Sequence, residues 1–391
     1  MLRISRTNSG LIGEWWFTVD RLFLFGVIFL GMIGLYFSLA ISPVEADDLN
    51  TDKYYFLMRQ TIYLFVSLSL MFLVSILSES FTRKLSLIIF FFGILGLLLT
   101  LFIGVNSGGS SRWLSLWGYT TVQPSEFLKP AFVVLSAWFY TRAKIEKDKM
   151  LWWLPIILFL IISLLLLFQP DLGQTILLFL TLLGIIFLQG LSWTIIAPIF
   201  VLGLFSFVIF YLNFSHFALR VDSWLEIWFG SGKVDSKLTQ TQAAIDAIEN
   251  GKIFGKGIGE SWVKYDLPDA YTDFIFAAIA EENGLIVTLP IMILYCALVF
   301  RGFSKVLIQH NYFKQLASAG LLLLFGLQTL IHIAVNLSLV PAKGMTLPFI
   351  SYGGSSMVSM GITMGMFLAI TRKTSPSISK SKDLIKYETM V

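Results

Sequence analysis

The sequence predicts an all-α polytopic membrane protein of about ten transmembrane helices. Three observations predict it. Of 391 residues, 56% are hydrophobic and 13% charged, and the mean hydropathy is +0.79; soluble chains average about 45–50% apolar and about 25% charged. The apolar residues gather into runs close to the roughly 20 residues that cross a hydrocarbon core. The lysines and arginines gather on alternate sides of those runs. A soluble globular fold, a disordered chain, a collagen and a disulfide scaffold are excluded.

The chain begins with a cytoplasmic segment, 1–21, that holds Arg3, Arg6 and Arg21. Glu14 and Asp20 precede the first apolar run, which has no small-residue cleavage site. It therefore reads as a retained helix and not a signal peptide. Runs of spanning length follow at 22–42, 60–77, 85–104, 124–141, 152–168, 174–190 and 194–213, giving helices 1–7 over 22–213. Gln169-Pro170-Asp171-Leu172-Gly173 separates the fifth and sixth, because proline and glycine interrupt a helix and aspartate is costly in lipid. A polar stretch, 214–272, then forms one large extracytoplasmic loop between helices 7 and 8. Within it, Leu238–Ile248 has helical spacing of apolar positions, and Gly251, Gly255, Gly257 and Gly259 read as flexible turns. Runs at 273–299, 316–337 and 353–371 give helices 8–10 over 273–371. The Ser- and Lys-rich segment 372–391 reads as a cytoplasmic tail.

Placing the N-terminus in the cytoplasm puts 17 of the 28 lysines and arginines on the inner side. The short outer loops then hold only Lys53, Arg59, Arg112 and Lys343. The asymmetry predicts N-in and C-in, hence an even number of spans. The net charge of +4 follows from this placement and is no nucleic-acid footprint. The single cysteine, Cys296, forms no disulfide within the chain, and His216, His310 and His332 lie far apart, without zinc-like spacing.

Charged groups at the ends of spanning helices are costly unless paired or wetted, so they mark candidate sites. Five segments carry them, all on the predicted outer side. Arg112-Trp113 precedes Gln123-Pro124-Ser125-Glu126, where Glu126 and Lys129 share a helix face three residues apart. They make either an internal ion pair or the charged wall of a water-filled cavity. Asp171 is either a helix cap or a carboxylate that orients a basic group or a sugar. The segment from Gly251 to Gly259 resembles a phosphate loop only superficially: no strand precedes it and no Ser or Thr follows a Gly-Lys pair. Asp273, where the polar loop enters helix 8, is either an N-cap with Thr272 or a general base at the membrane surface. Pro341 to Ser356 is too rich in proline, glycine and hydroxyls for a lipid-facing helix. Such backbone must line a cavity or lie within protein, and Lys343 is a point charge for phosphate.

Together these segments resemble the SEDS family (shape, elongation, division and sporulation) of bacterial cell-wall synthesis, over about residues 20–372. Lys343 through Ser356 is a near-complete match to the family's C-terminal signature. Gln-Pro-Ser-Glu, Gln-Pro-Asp-Leu-Gly, the glycine-rich loop and Thr-Asp-Phe-Ile-Phe-Ala follow in the family's order, and the motifs are most like those of its division branch. The resemblance implies a peptidoglycan glycosyltransferase that polymerises lipid II at the outer face of the bacterial cytoplasmic (inner) membrane during septal wall synthesis, releasing undecaprenyl diphosphate. It implies as partners a class B penicillin-binding transpeptidase (FtsI-like) and other divisome membrane proteins. It implies Asp273 as the catalytic base and Arg112, Trp113, Glu126, Lys129, Asp171, Arg220, Gln242, Lys343, Ser351 and Ser355 as substrate-binding residues. Arg112, Lys129, Lys343 and Arg220, or a divalent cation (magnesium or manganese), would stabilise the leaving diphosphate. Two positions depart from the pattern: Tyr271 stands where the family usually has histidine, and Ala280 where it often has glycine. A lipid II flippase and a non-catalytic divisome scaffold are the alternatives. The first competes because polar groups among ten spans also suit a transport path.

Overall fold

The computed structural model describes residues 10–48, 52–107, 110–116, 120–190, 193–213, 218, 221–222, 224–226, 229, 239–257, 270–341 and 344–373. A short helix α1 (Leu11–Thr18) precedes α2 (Arg21–Asp48), α3 (Tyr55–Ser75) and α4 (Glu79–Ile103). After strands β1 (Val105–Ser107), β2 (Ser110–Leu116) and β3 (Thr120–Val122) come α5 (Pro124–Glu146), α6 (Lys149–Phe168), α7 (Leu172–Leu188) and α8 (Trp193–Asn213). The outer segment carries α9 (Thr239–Gly251), and the chain closes with α10 (Ile275–Asn283), α11 (Leu285–Leu307), α12 (Tyr312–Asn336) and α13 (Gly354–Thr371). Seven of these, α2, α3, α4, α6, α11, α12 and α13, are long and apolar enough to cross a membrane, and α7 is a shorter apolar helix.

Two predictions need correction. The fold is not purely helical: β1, β2 and β3 form a three-stranded antiparallel sheet. Val105 faces Trp113, and Leu114 faces Val122. The strands are short and polar, so helical periodicity passes over them, yet their backbone groups need partners beside the bundle. The expected eighth helix is also not one helix. Gly284, at φ +70°, ends α10 and begins α11, a conformation glycine adopts without strain. Helix α10 is buried on every side, including Glu281 and Glu282.

The core centres on α13, whose spanning stretch is 89% buried, whereas that of the peripheral α6 is 22% buried. Helix α13 packs most extensively on α3. Small residues permit that approach: a Cβ on Gly361 would strike the Ser67 carbonyl, and one on Gly365 would lie 2.8 Å from the Met71 carbonyl. Ser67 Oγ donates to the Met357 carbonyl (2.6 Å) and Gln60 Nε2 to the Ile350 carbonyl (3.0 Å), fixing the register of the two helices.

The glycine-rich segment is docked and not a set of free turns. The Lys256 and Gly257 N–H groups donate to the Glu281 and Glu282 carbonyls (2.9 and 3.0 Å), and Leu285 and Ile286 donate back to Lys252 and Ile253 (3.0 Å each). A Cβ on Gly251 would overlap the Ala280 carbonyl. The close approach at Ala280 is made through the glycine on the opposite segment.

Candidate functional site

Two polar centres lie at the predicted outer ends of the helices. The first is built on α5. Pro124 occupies the first turn, where its missing N–H costs nothing, and Glu126 sits where the helix dipole favours a carboxylate. Glu126 Oε2 and Lys129 Nζ lie 2.9 Å apart, with 3% and 1% of the side chains exposed. Gln174 Nε2 of α7 donates to Glu126 Oε1 (2.6 Å), and Ser359 Oγ of α13 donates to the Glu126 carbonyl (2.6 Å). Lys129 donates to Gln328 Oε1 of α12 (3.0 Å), whose amide donates to the Thr346 carbonyl (3.1 Å). Thr346 and Ser356 hydroxyls meet at 2.5 Å. This is the internal ion pair, not the wall of an open cavity.

The same network runs outward to Arg112. Asp171 caps α7, its Oδ1 accepting from the Gln174 N–H (3.4 Å), and lies 3.9 Å from Arg112 Nη1. Gln123 Nε2 donates to Asp171 Oδ2 (3.3 Å), and the Gln123 N–H donates to Ser355 Oγ (3.0 Å). Arg112, on β2, also donates to the Gln169 and Pro170 carbonyls (3.3 and 2.5 Å). Burial pushes the Asp171 carboxyl above its ordinary value, against the pull of the Arg112 charge. Both readings of Asp171 hold at once: it caps a helix and it orients an arginine.

The second centre surrounds Asp273, in the turn before α10. Phe274 occupies the N-cap position of α10, one residue after Asp273, and its own side chain makes no cap bond. The main chain here is anchored on both sides. Asn336 Nδ2 donates to the Asp273 carbonyl (2.9 Å) and to the His332 carbonyl (2.9 Å), while Asn336 Oδ1 accepts from the Ala277 N–H (3.0 Å). Ser351 Oγ donates to the Thr272 carbonyl (2.6 Å) and accepts from the Leu347 N–H (2.7 Å). The Tyr352 N–H donates to the Tyr271 carbonyl (3.0 Å). A Cβ on Gly344 would lie 3.2 Å from Asp273 Oδ2, so the segment after Lys343 runs directly beside the carboxylate. Asp273 is half-buried, whereas Glu126, Asp171, Glu281 and Glu282 are buried.

An aromatic cluster adjoins it. The Tyr271 ring lies 5.0 Å from Phe56 and 5.4 Å from Tyr352, and Arg59 of α3 hydrogen-bonds Tyr352. Tyr271 thus packs as an aromatic where the family usually places histidine.

The outcome for the remaining expected residues is mixed. Ser351 and Ser355 are buried and bond main chain, and Glu126 and Lys129 are buried against each other. Trp113 stays half-buried beside Arg112 on β2. Gln242 bonds Asp246 one turn along α9 (2.9 Å). Arg220 and Lys343 lie outside the described residues, as do 374–391. Gln123, Gln174, Gln328, Asn336 and Arg59 were not anticipated. A signal existed for three polar residues of α12: Gln328, His332 and Asn336 recur every four residues on one face of an apolar helix. Among the described residues, no group of three histidines, cysteines or carboxylates is arranged to hold a metal ion.

A bundle of long apolar helices with a half-buried carboxylate at the helix ends, backed by a buried charged network, defines a multi-pass membrane protein. Residues 20–376 match the FtsW/RodA/SpoVE family of cell cycle proteins, and the chain belongs to that family. It is 38% identical over 373 residues to a probable peptidoglycan glycosyltransferase FtsW of Caulobacter vibrioides, covering 94% of this chain and 93% of that one. The corresponding protein of Haemophilus influenzae is 33% identical over 360 residues, 90% of each chain. Among solved structures, a chain from work described as structural coordination of polymerization and crosslinking by a peptidoglycan synthase complex superposes with a TM-score of 0.74 at 26% identity, covering 91% of this chain and 98% of that one. The rod shape determining protein RodA of Thermus thermophilus shares the fold, with a TM-score of 0.64 at 24% identity over 92% and 99% of the two chains.

Proposed function

We propose that this chain is a peptidoglycan glycosyltransferase that polymerises lipid II at the outer face of the bacterial cytoplasmic membrane. The seven long apolar helices together with α5, α7 and α8 make ten spans, with both termini in the cytoplasm, as the lysine and arginine distribution favours. The domain divisions are those of the sequence, with the 214–272 segment outside. The protein acts at the division septum, beside an FtsI-like class B transpeptidase.

The observation that carries the reading is the contrast among carboxylates. Asp273 is half-exposed, on a turn anchored by Asn336 and Ser351, while Glu126, Asp171, Glu281 and Glu282 are buried. A general base must reach its substrate and must be held still. Asp273 takes the proton from the acceptor sugar's 4-hydroxyl. That oxygen then bonds to the donor's anomeric carbon, and the bond from that carbon to the diphosphate oxygen breaks. Lys343, one residue before the Gly344 backbone that flanks Asp273, and the partly exposed Arg112 meet the charge of the departing undecaprenyl diphosphate. Glu126 and Lys129 do not touch substrate; they hold α5, α7, α12 and α13 in register. The donor brings its own diphosphate, so no nucleotide is required.

Purified chain, with its transpeptidase, is incubated with lipid II in detergent beside Asp273→Asn. The variant should lose about 10²–10⁴ of polymerisation rate while its melting temperature stays that of the wild type. Glycan strands made by Asp273→Asn at the parent rate would remove Asp273 from the role of base. No polymer from the wild type would move the weight to the flippase or the scaffold.

A further inference from the structure

At the opposite end of the bundle, far along the helices from Asp273, the ends of α1, α2, α11, α12 and α13 surround a cavity of about 710 Å³. Six cations line it, Arg21, Arg301, Lys305, Lys314, Arg372 and Lys373, with His310, against two carboxylates, Asp20 and Glu79. The carboxylates are already engaged. Asp20 Oδ1 lies 2.8 Å from Arg301 Nη2 and its Oδ2 lies 3.1 Å from Lys305 Nζ, while Glu79 lies 3.6 Å from Arg83, outside the cavity. Lys314 and Lys373 have no ion pair among the described residues. Glu14 acts on Arg372 from nearby, and among the described residues the cations of the cavity still outnumber the carboxylates. The first turn of α12 also opens here, with Asn311 as its N-cap, which adds a favourable dipole for an anion.

The wall is not wholly polar. Leu22 and Ile308 line the same cavity and are each 66% exposed, and Arg21 lies over the Trp16 and Phe17 rings at 5.2 and 5.8 Å. Exposed aliphatic side chains beside a basic hollow suit a ligand that is anionic at one end and apolar at the other. A free phosphate would use the cations and leave the apolar rim wet.

We propose that this cavity binds the phosphodiester headgroup of an anionic phospholipid of the cytoplasmic leaflet, its acyl chains lying along Leu22 and Ile308. The assignment rests on the orientation proposed above but not on the glycosyltransferase chemistry. Basic pockets between membrane helices on the cytoplasmic side hold such headgroups through charge and hydrogen bonds together. Arg301 and Lys305, fixed by Asp20, form the rigid floor; Lys314 and Lys373 supply the uncommitted charge.

The test uses the full detergent-purified chain, titrated with phosphatidylglycerol or phosphatidylcholine and read by native mass spectrometry. Phosphatidylglycerol should bind roughly tenfold or more tightly than phosphatidylcholine. The double variant Lys314→Gln with Lys373→Gln should weaken phosphatidylglycerol about 25-fold, at about fivefold per lysine. Lys314→Arg with Lys373→Arg should retain it, and so should Lys147→Gln with Lys149→Gln, which removes two cations of the same face outside the cavity. Equal binding of phosphatidylcholine, unchanged binding in the glutamine double variant, an equal loss in the Lys147 and Lys149 variant, or displacement of the lipid by millimolar inorganic phosphate would each overturn the proposal. Polymerisation by Asp273→Asn bears on none of these readouts, so the two readings fail separately.

Discussion

The Glu126–Lys129 centre and the Asp273 centre both lie at the predicted outer ends of the helices, yet they are built in opposite ways. Glu126 and Lys129 are gripped through their side chains, by Gln174, Gln328 and each other, and almost nothing of them is exposed. Asp273 is gripped through the backbone on either side of it, by Asn336 and by the Ser351 bond to Thr272, and its carboxylate remains half-exposed. A buried pair that meets at 2.9 Å and bonds to neighbouring helices ties four helices together and cannot be spared one partner. A half-buried carboxylate on an anchored turn keeps its position nearer to solvent. Charge by itself therefore does not distinguish the two centres; burial and the manner in which the charge is held do.

Breaking the pair should give the largest effect. Lys129→Met leaves Glu126 buried and uncompensated, and should cost about 3–5 kcal/mol of stability, read as a drop in thermal midpoint in detergent. Glu126→Leu combined with Lys129→Met should recover most of that loss. A double variant as unstable as the single one would show that the pair is more than mutually compensating charge. Next comes Asn336→Leu, which removes the donor to the Asp273 carbonyl and the acceptor for the Ala277 N–H. It should slow polymerisation roughly tenfold to a hundredfold with little change in KM, since the base loses its position and not its charge. Activity unchanged by Asn336→Leu would mean that Ser351 alone holds the turn.

The third effect sharpens the comparison with a paired carboxylate at the opposite, predicted inner end. Burial of Asp20 acts to raise its pKa, but the Phe23 N–H, Arg301 and Lys305 outweigh it and hold the carboxyl below its ordinary 3.8. Its stabilisation is complete above about pH 4 and is lost as pH falls through the lowered folded value. The thermal midpoint of the wild type should fall over that acid range, and Asp20→Asn should remove this part of the fall. The smallest effect belongs to Arg142 and Glu146, an exposed pair one helical turn apart at 2.6 Å. Arg142→Ala should shift stability by no more than about 0.5 kcal/mol, since water screens such pairs. A larger shift would show that exposure is a poor guide to which charges matter here.

Much of the architecture was legible. Nine of the ten expected apolar runs correspond to single helices, and Thr239–Gly251 forms where Leu238–Ile248 has helical spacing. The Glu126–Lys129 pair and the Arg112–Asp171 contact join residues that the motifs had singled out. The sheet was missed because seven residues or fewer per strand leave too little pattern to read. The docking of the glycine segment was missed because it depends on the Glu281 and Glu282 carbonyls, which sequence spacing cannot bring alongside Lys256 and Gly257. Gln328, His332 and Asn336 had a readable four-residue spacing, but only the structure says what that stripe faces.

The sequence by itself determined that the chain lies in a membrane, roughly where its helices begin and end, and which motifs gather at one end of them. Hydrophobicity and proline or glycine breaks act locally, within a turn or a span, so the linear order of residues carries them. The tertiary structure alone decided which charges became internal and which stayed accessible. That choice depends on partners far away in sequence, Lys129 with Gln328 at 3.0 Å and Asp273 with Asn336 at 2.9 Å, and on the low dielectric created only when the helices close around them.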